Sequence, residues 1–241
     1  MKAYCTVWFF ILGSCLASHA SLIACRLPKG ESIVSGRSHC EGCGRPLTLW
    51  DVFPVFGWLM CCGRCRTCGY RIPALYPLLE LLLGTLSAYA FVRTGAAAAT
   101  RDALVLFFGL ALAIIDSHSM IIPNELVGAG AVAGLIVSAV TGVLVPSLEG
   151  GILCGAFMCL FYLLAKGDMG GGDVKFAAML GVFLGPWSGM LAVVAACILG
   201  GLTAIVLVGA GKWTWKQVAP LAPFMFAGMV FAIQASIINA L

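Results

Sequence analysis

The chain has 241 residues, of which 61% are hydrophobic and only 10% charged, with a formal net charge of +4. Soluble domains carry about 25% charged residues, so this composition excludes an ordinary water-soluble fold and points to a protein embedded in a bilayer. No internal repeat or low-complexity tail is visible, and no nucleic-acid partner is expected.

A helix needs roughly 20 residues to cross the hydrocarbon. Apolar runs predict about eight spans, at 4–25, 72–92, 102–119, 125–145, 148–165, 174–187, 188–210 and 218–240. Inside lipid the backbone must satisfy its own hydrogen bonds, so these are helices and the fold class is all-α and polytopic. Three parts follow: a first membrane helix (1–25), a polar segment (26–71) and a helical membrane domain (72–241). With the first span running inward, eleven basic residues (Arg26, Lys29, Arg37, Arg45, Arg64, Arg66, Arg71, Lys166, Lys175, Lys212 and Lys216) lie inside and only Lys2, Arg93 and Arg101 outside. That bias sets the polar segment in the cytoplasm. Reading residues 1–20 as a cleaved signal peptide, with Ser18, His19 and Ala20 as the cleavage site, would export a loop carrying seven basic residues, and is disfavoured.

The polar segment carries CEGCG at 40–44 and CRTCG at 65–69, with 21 residues between Cys43 and Cys65. Thiolates at i and i+3 bind one face of a tetrahedral ion, and two such pairs make a four-cysteine zinc site of Cys40, Cys43, Cys65 and Cys68. A reducing cytoplasm argues against disulfides. Cys62 to Cys65 is also a CxxC pair, which leaves a second choice of ligands open. A segment of some 46 residues (26–71) buries too little to be stable alone, so a metal staple makes physical sense.

Two acids lie at membrane depth. The apolar run Ala103–Ile115 is 13 residues, too short to cross, so its helix should continue through Asp116; Asn124 then reads as the cap of the next helix. Asp102 and Glu149 read as acids at the start of spans, where a helix N-terminus favours negative charge. Asp173 follows Gly170, Gly171 and Gly172 and precedes a short span broken at Gly185 and Pro186. Two carboxylates brought together cannot easily both ionise, so Asp116 and Asp173 suit a general acid and base acting on one water. The three glycines would leave room for an extended substrate backbone. Lys175 reads as a charge partner for Asp173, a lipid-phosphate contact or an ordinary interfacial lysine. Asp168, His118 and Glu80 each have a bland reading as well: loop solvation, an interfacial ring and a helix-dipole acid.

In order along the chain, these residues resemble the bacterial type IV prepilin peptidases, membrane aspartic proteases of the GxGD type. The resemblance rests on ASHASLIACRLP (17–28), Cys40 and Cys43, VFPV (52–55), Cys65 and Cys68, YPLLE (76–80), Asp116 with Ile122 and Pro123, GGGDVK (170–175) and APLAPF (219–224). The opening motif departs most, at Ala17, His19 and Ser21. The resemblance implies a multi-pass enzyme of the bacterial inner membrane. It would cut the basic leader from prepilin or pseudopilin precursors at the cytoplasmic face, with Asp116 and Asp173 catalytic; Asp168 is open to a role in recognising the basic leader, and Glu80 to a contact with the leader or with the cysteine segment. It further implies N-methylation of the new N-terminus with S-adenosylmethionine. A transporter or channel lined by the two acids is the alternative, but the repeated halves expected of one are not visible. A scaffold without chemistry leaves both acid motifs unexplained.

Overall fold

The computed structural model describes residues 2–33, 38–165, 169–214 and 219–239; Asp168 and the basic residues Arg37, Lys166 and Lys216 lie outside them. Regular structure among the described residues is helical, and extended pairing is confined to two isolated bridges, His39 with Pro46 and Arg64 with Arg71. The chain forms two compact units, Met1–Ala103 and Leu104–Leu241.

In the first unit, helix α1 (Lys2–Arg26) packs along α4 (Leu75–Thr94). Small residues let the two backbones approach: Gly13 lies against the backbone of Leu83 and the hydroxyl of Ser87, and Gly84 against Ser14 and Phe10. Such contacts hold helices together where lipid removes the hydrophobic driving force. Phe9 stacks on Phe91 with ring centroids 4.7 Å apart, and the Ser14 hydroxyl donates to the Glu80 carbonyl at 3.0 Å. Between these helices lie the cysteine segment and two short helices, α2 (Leu49–Val52) and α3 (Phe56–Met60).

The second unit contains the end of α5 (Ala96–Ser119), then α6 (Asn124–Val140), α7 (Leu144–Leu164), α8 (Gly171–Gly209) and α9 (Ala222–Asn239). Helices α6, α7 and α9 all pack on α8. Phe176, Met179, Leu180 and Phe183 of α8 are fully buried, as are Leu112 and Ile115 of α5 and Met225 and Met229 of α9.

The α8 stretch is not one rod. Gly185 has φ 76° and ψ −178°, a conformation essentially reserved for glycine, and Pro186 follows. A side chain at Gly189 would start 3.0 Å from the Cα of Gly181, although eight residues of unbroken helix would separate them by about 12 Å. The chain therefore reverses at Gly185 into a helical hairpin. The spans expected at 174–187 and 188–210 fall on this stretch, with the break at Gly185 rather than after 187.

Among the described residues, five helices are long and apolar enough to cross a membrane: Lys2–Lys29 (α1 with a 3-10 turn), α4, α5, α7 and α8; α6 and α9 are shorter apolar helices. Helix α5 starts at Ala96, six residues before the expected 102, because the alanines at 96–99 are the best helix formers. Asp102 is consequently inside the helix, buried and paired with Arg101 at 3.1 Å, rather than at its start. Glu149 likewise lies within α7, exposed, and not in its first turn.

Candidate active site

Asp116 lies in the last turn of α5 and is buried. Its Oδ2 accepts a hydrogen bond from the backbone N–H of Ala222 at 2.9 Å, and the Leu221 N–H also points to it. Ala222 opens α9, so the carboxylate sits on a helix N-terminus, where free amides and the helix dipole favour negative charge. Sequence reasoning missed these partners. The available signal was a proline in the first turn of an apolar helix, Pro223, which marks a helix start.

Asp173 is the third residue of α8 and half-buried. Its N–H donates to the Gly170 carbonyl at 3.2 Å, and its Oδ2 lies 3.5 Å from where a Gly170 side chain would begin. The carboxylate thus turns back toward Gly170, the cap of its own helix. Asp116 and Asp173 lie close enough for their charges to interact. The structure brings together in one unit two acids 57 positions apart in sequence.

The glycines before Asp173 divide. A side chain at Gly172 would meet the Ile122 Cβ at 2.8 Å, whereas Gly171 has only Tyr162 at 3.9 Å and Gly170 only Asp173. Gly172 lets α8 approach the Ile122–Pro123 turn that follows Asp116; among the described residues, the space beside Gly170 and Gly171 is open. Lys175 does not meet Asp173: its Nζ donates to the Asn124 Oδ1 at 2.8 Å. Asn124 is accordingly not the cap of α6 but its first residue, because Pro123, with φ −63° and ψ 127°, takes the cap position. His118 turns back on its own helix, with Nδ1 2.9 Å from the Ile114 carbonyl.

Glu80, in the first unit, is buried in α4 and accepts the Val55 N–H at 2.6 Å and the Ser18 hydroxyl. It ties both membrane helices to the cysteine segment. There, the sulfurs of Cys40, Cys43, Cys65 and Cys68 lie within 4.8 Å of one another, and Cys40 and Cys68 are 3.8 Å apart. Metal–sulfur bonds of about 2.3 Å in a tetrahedron give edges of about 3.8 Å, so the donor set fits zinc. The two halves repeat one another. Cys40 N–H donates to Arg45 and Cys65 N–H to Tyr70, the first cysteine's carbonyl receives the Gly44 or Gly69 N–H, and those glycines have φ 70° and 71°. Cys62 is exposed and outside the cluster, and Cys61 faces Arg66 at 3.1 Å and Asp51 at 3.8 Å. The amides of Cys68 and Thr67 draw the Cys65 thiol down to about 6. Cys68 is pushed up to about 11: the Tyr70 amide opposes the rise, but burial and the neighbouring thiols outweigh it.

Residues 11–94 match the model of the bacterial peptidase A24 N-terminal domain, and residues 103–205 that of the type IV leader peptidase family. The chain is 32% identical over 230 residues to a prepilin leader peptidase/N-methyltransferase of Bacillus subtilis, covering 92% of this chain and 91% of the relative. It is 34% identical over 211 residues to the protein of that name from Myxococcus xanthus, covering 83% of this chain and 62% of the relative. No solved structure matches. The two family models fall on the cysteine-bearing segment with its flanking helices and on the segment holding both aspartates, and with the likeness to the Bacillus protein along nearly its whole length they establish that the chain belongs to the type IV leader peptidase family.

Proposed function

We propose that this protein is a membrane aspartic endopeptidase that removes the leader from prepilin or pseudopilin precursors and N-methylates the new N-terminus. The single observation that carries the peptidase reading is the pairing in one unit of Asp116, held by the amides at the start of α9, with Asp173 in the first turn of α8. One carboxylate takes the proton of a water as it attacks the scissile carbonyl. The other, protonated, gives its proton to the carbonyl oxygen; as the tetrahedral intermediate collapses, the first passes the water's proton to the leaving amine and the second recovers a proton from a gem-diol hydroxyl. The open space beside Gly170 and Gly171 admits the substrate backbone to Asp173, and Lys175 with Asn124 holds the α6 and α8 ends beside it.

With the Gly185 hairpin counted as two arms, eight apolar helical segments lie among the described residues, which supports an eight-helix membrane protein. The excess of basic residues on the cysteine segment supports an inner-membrane protein with that segment and the aspartates on the cytoplasmic side. Zinc held by Cys40, Cys43, Cys65 and Cys68 staples the cysteine segment. S-adenosylmethionine supplies an electrophilic methyl group when bound. A cavity of about 290 Å³ in the first unit, lined by Glu80, Asp51, Tyr70, Tyr76, Arg26 and Arg45 among others, offers carboxylates and rings to a sulfonium and guanidinium groups to a carboxylate.

Purified protein incubated with a pilin precursor, with and without S-adenosylmethionine, tests both activities by product mass. Leader loss in both mixtures, and one added methyl only with the donor, is expected. An uncut precursor would refute the peptidase, and a cut but never methylated product would refute the second activity alone.

A further inference from the structure

The polarity of the segment Leu49–Met60 is inverted. In α2 the charged residue points inward: the Asp51 side chain is 6% exposed and bonds Arg45 at 2.9 Å, with Arg66 at 3.6 Å. Its neighbours Leu49 and Trp50 are 88% and 69% exposed. In the following turn and α3, Phe53, Phe56, Leu59 and Met60 are exposed as well. These residues form one patch: Gly57 of α3 packs on the backbone of Trp50 and Asp51, and Phe53 meets Phe56 edge to face at 6.3 Å. A contiguous apolar surface of this kind is not left to water.

The depth of the segment identifies what covers it. The Phe53–Phe56 turn is pinned through the Val55 N–H to the carboxylate of Glu80. Glu80 is the sixth residue of α4, about 7–8 Å along that helix from its start. The same carboxylate takes the hydroxyl of Ser18, which lies eight residues before the end of α1 at Arg26, about 12 Å down that helix. Both helices are long and apolar enough to cross a membrane. Even with the Glu80 side chain reaching back toward its helix start, Val55 lies alongside the first turns of α4, not above them. The interfacial layer occupies about 5–8 Å of each leaflet beyond the hydrocarbon, and Trp and Phe favour it. Val55 itself has φ 62°, uncommon for a β-branched residue, so the turn is held in place against a local cost.

We infer that Leu49–Met60 is an interfacial membrane anchor, with Trp50, Phe53, Phe56, Leu59 and Met60 set into the headgroup–acyl boundary of the lipid bilayer and Glu80 as the residue that fixes its depth. The anchor holds the four-cysteine module flat against the bilayer.

The full chain in phosphatidylcholine vesicles, compared with Trp50→Phe, isolates the Trp50 fluorescence by difference, and its lipid contact is read with phospholipid brominated near the headgroup end of the acyl chain. Quenching of about twofold or more, with weak quenching by aqueous acrylamide, is expected for a ring buried about 5–10 Å into that boundary. Strong acrylamide quenching without a lipid effect would overturn the inference in favour of a free surface. Quenching by neither would overturn it in favour of a protein partner, such as a second copy. In Glu80→Ala, lipid quenching of Trp50 should fall toward the acrylamide-accessible level; unchanged lipid quenching would refute the depth-setting role of Glu80.

Discussion

The Asp116 carboxylate accepts a hydrogen bond from the Ala222 N–H across 106 positions of sequence, so the start of α9 is built onto the residue proposed to do the chemistry. Asn at 116 keeps an acceptor for that amide, whereas Ala does not. Asp116→Asn is therefore expected to stay inserted and folded while leader cleavage falls by about 10²–10⁴-fold, and Asp173→Asn to behave alike. Asp116→Ala should add a stability loss of about 1–3 kcal/mol. Cleavage kinetics and thermal unfolding in detergent separate the two effects; normal cleavage by both Asn variants would refute the pair.

Gly172 and Gly171 are neighbours with different surroundings. Gly172→Ala forces a methyl onto the Ile122 Cβ and is expected to cost about 1–3 kcal/mol by overpacking. Gly171→Ala meets nothing closer than 3.9 Å among the described residues and should leave stability unchanged within about 0.5 kcal/mol. Its cleavage rate then reports whether the open space is used by substrate. Equal melting temperatures for the two variants would contradict the packing described.

Metal content distinguishes the cysteines. Cys40→Ser and Cys65→Ser should each abolish bound zinc and destabilise the first unit, while Cys62→Ser should retain the full stoichiometry. Zinc measured by elemental analysis in variants purified alike decides this. Unchanged zinc in Cys40→Ser or Cys65→Ser would remove that residue from the ligand set.

Asp51 provides a pH dependence. Burial pushes its carboxyl up, but the Thr48 N–H and hydroxyl, then Arg45 and Arg66, outweigh it and hold the group below the usual aspartate range. A folded-state value below the unfolded one stabilises the protein above about pH 4, the ordinary aspartate value, and that contribution disappears as pH falls through the folded value. The stability gap between wild type and Asp51→Asn should thus be full at neutral pH and close below about pH 4. Unfolding followed by Trp58 fluorescence across this range reads it; a gap constant down to strong acid would count against the ion pairs.

The two aspartates were legible because each breaks a local rule: Asp116 lies where an apolar helix is too short without it, and Asp173 is a charge beside glycines in an apolar chain. Their partners were not. A backbone amide at Ala222 carries no side-chain signature, and the pairing of Lys175 with Asn124 depends on how two helix starts meet in space. Asn124 has the composition of a cap, yet Pro123 occupies that position because its φ is already fixed. The cysteine repeat was readable from spacing, since both halves are closed by bonds between residues four and five positions apart. The inversion of α2 was not, because four residues are too few to show a periodicity.

The hairpin at Gly185 leaves its first arm, Gly171–Leu184, with 14 residues, a rise of about 21 Å against roughly 30 Å of hydrocarbon. Both ends of that arm cannot reach the two membrane surfaces at once. Either the bilayer thins around the protein, or the Gly185 turn stops short of the far surface, or the arm end that carries Asp173 lies below its own surface and water must come down to it. Hydrophobic mismatch of this kind costs fractions of a kcal/mol per ångström. The length of the surrounding acyl chains is then a setting on the enzyme itself, with shorter lipids bringing the hairpin and Asp173 nearer to the water they need.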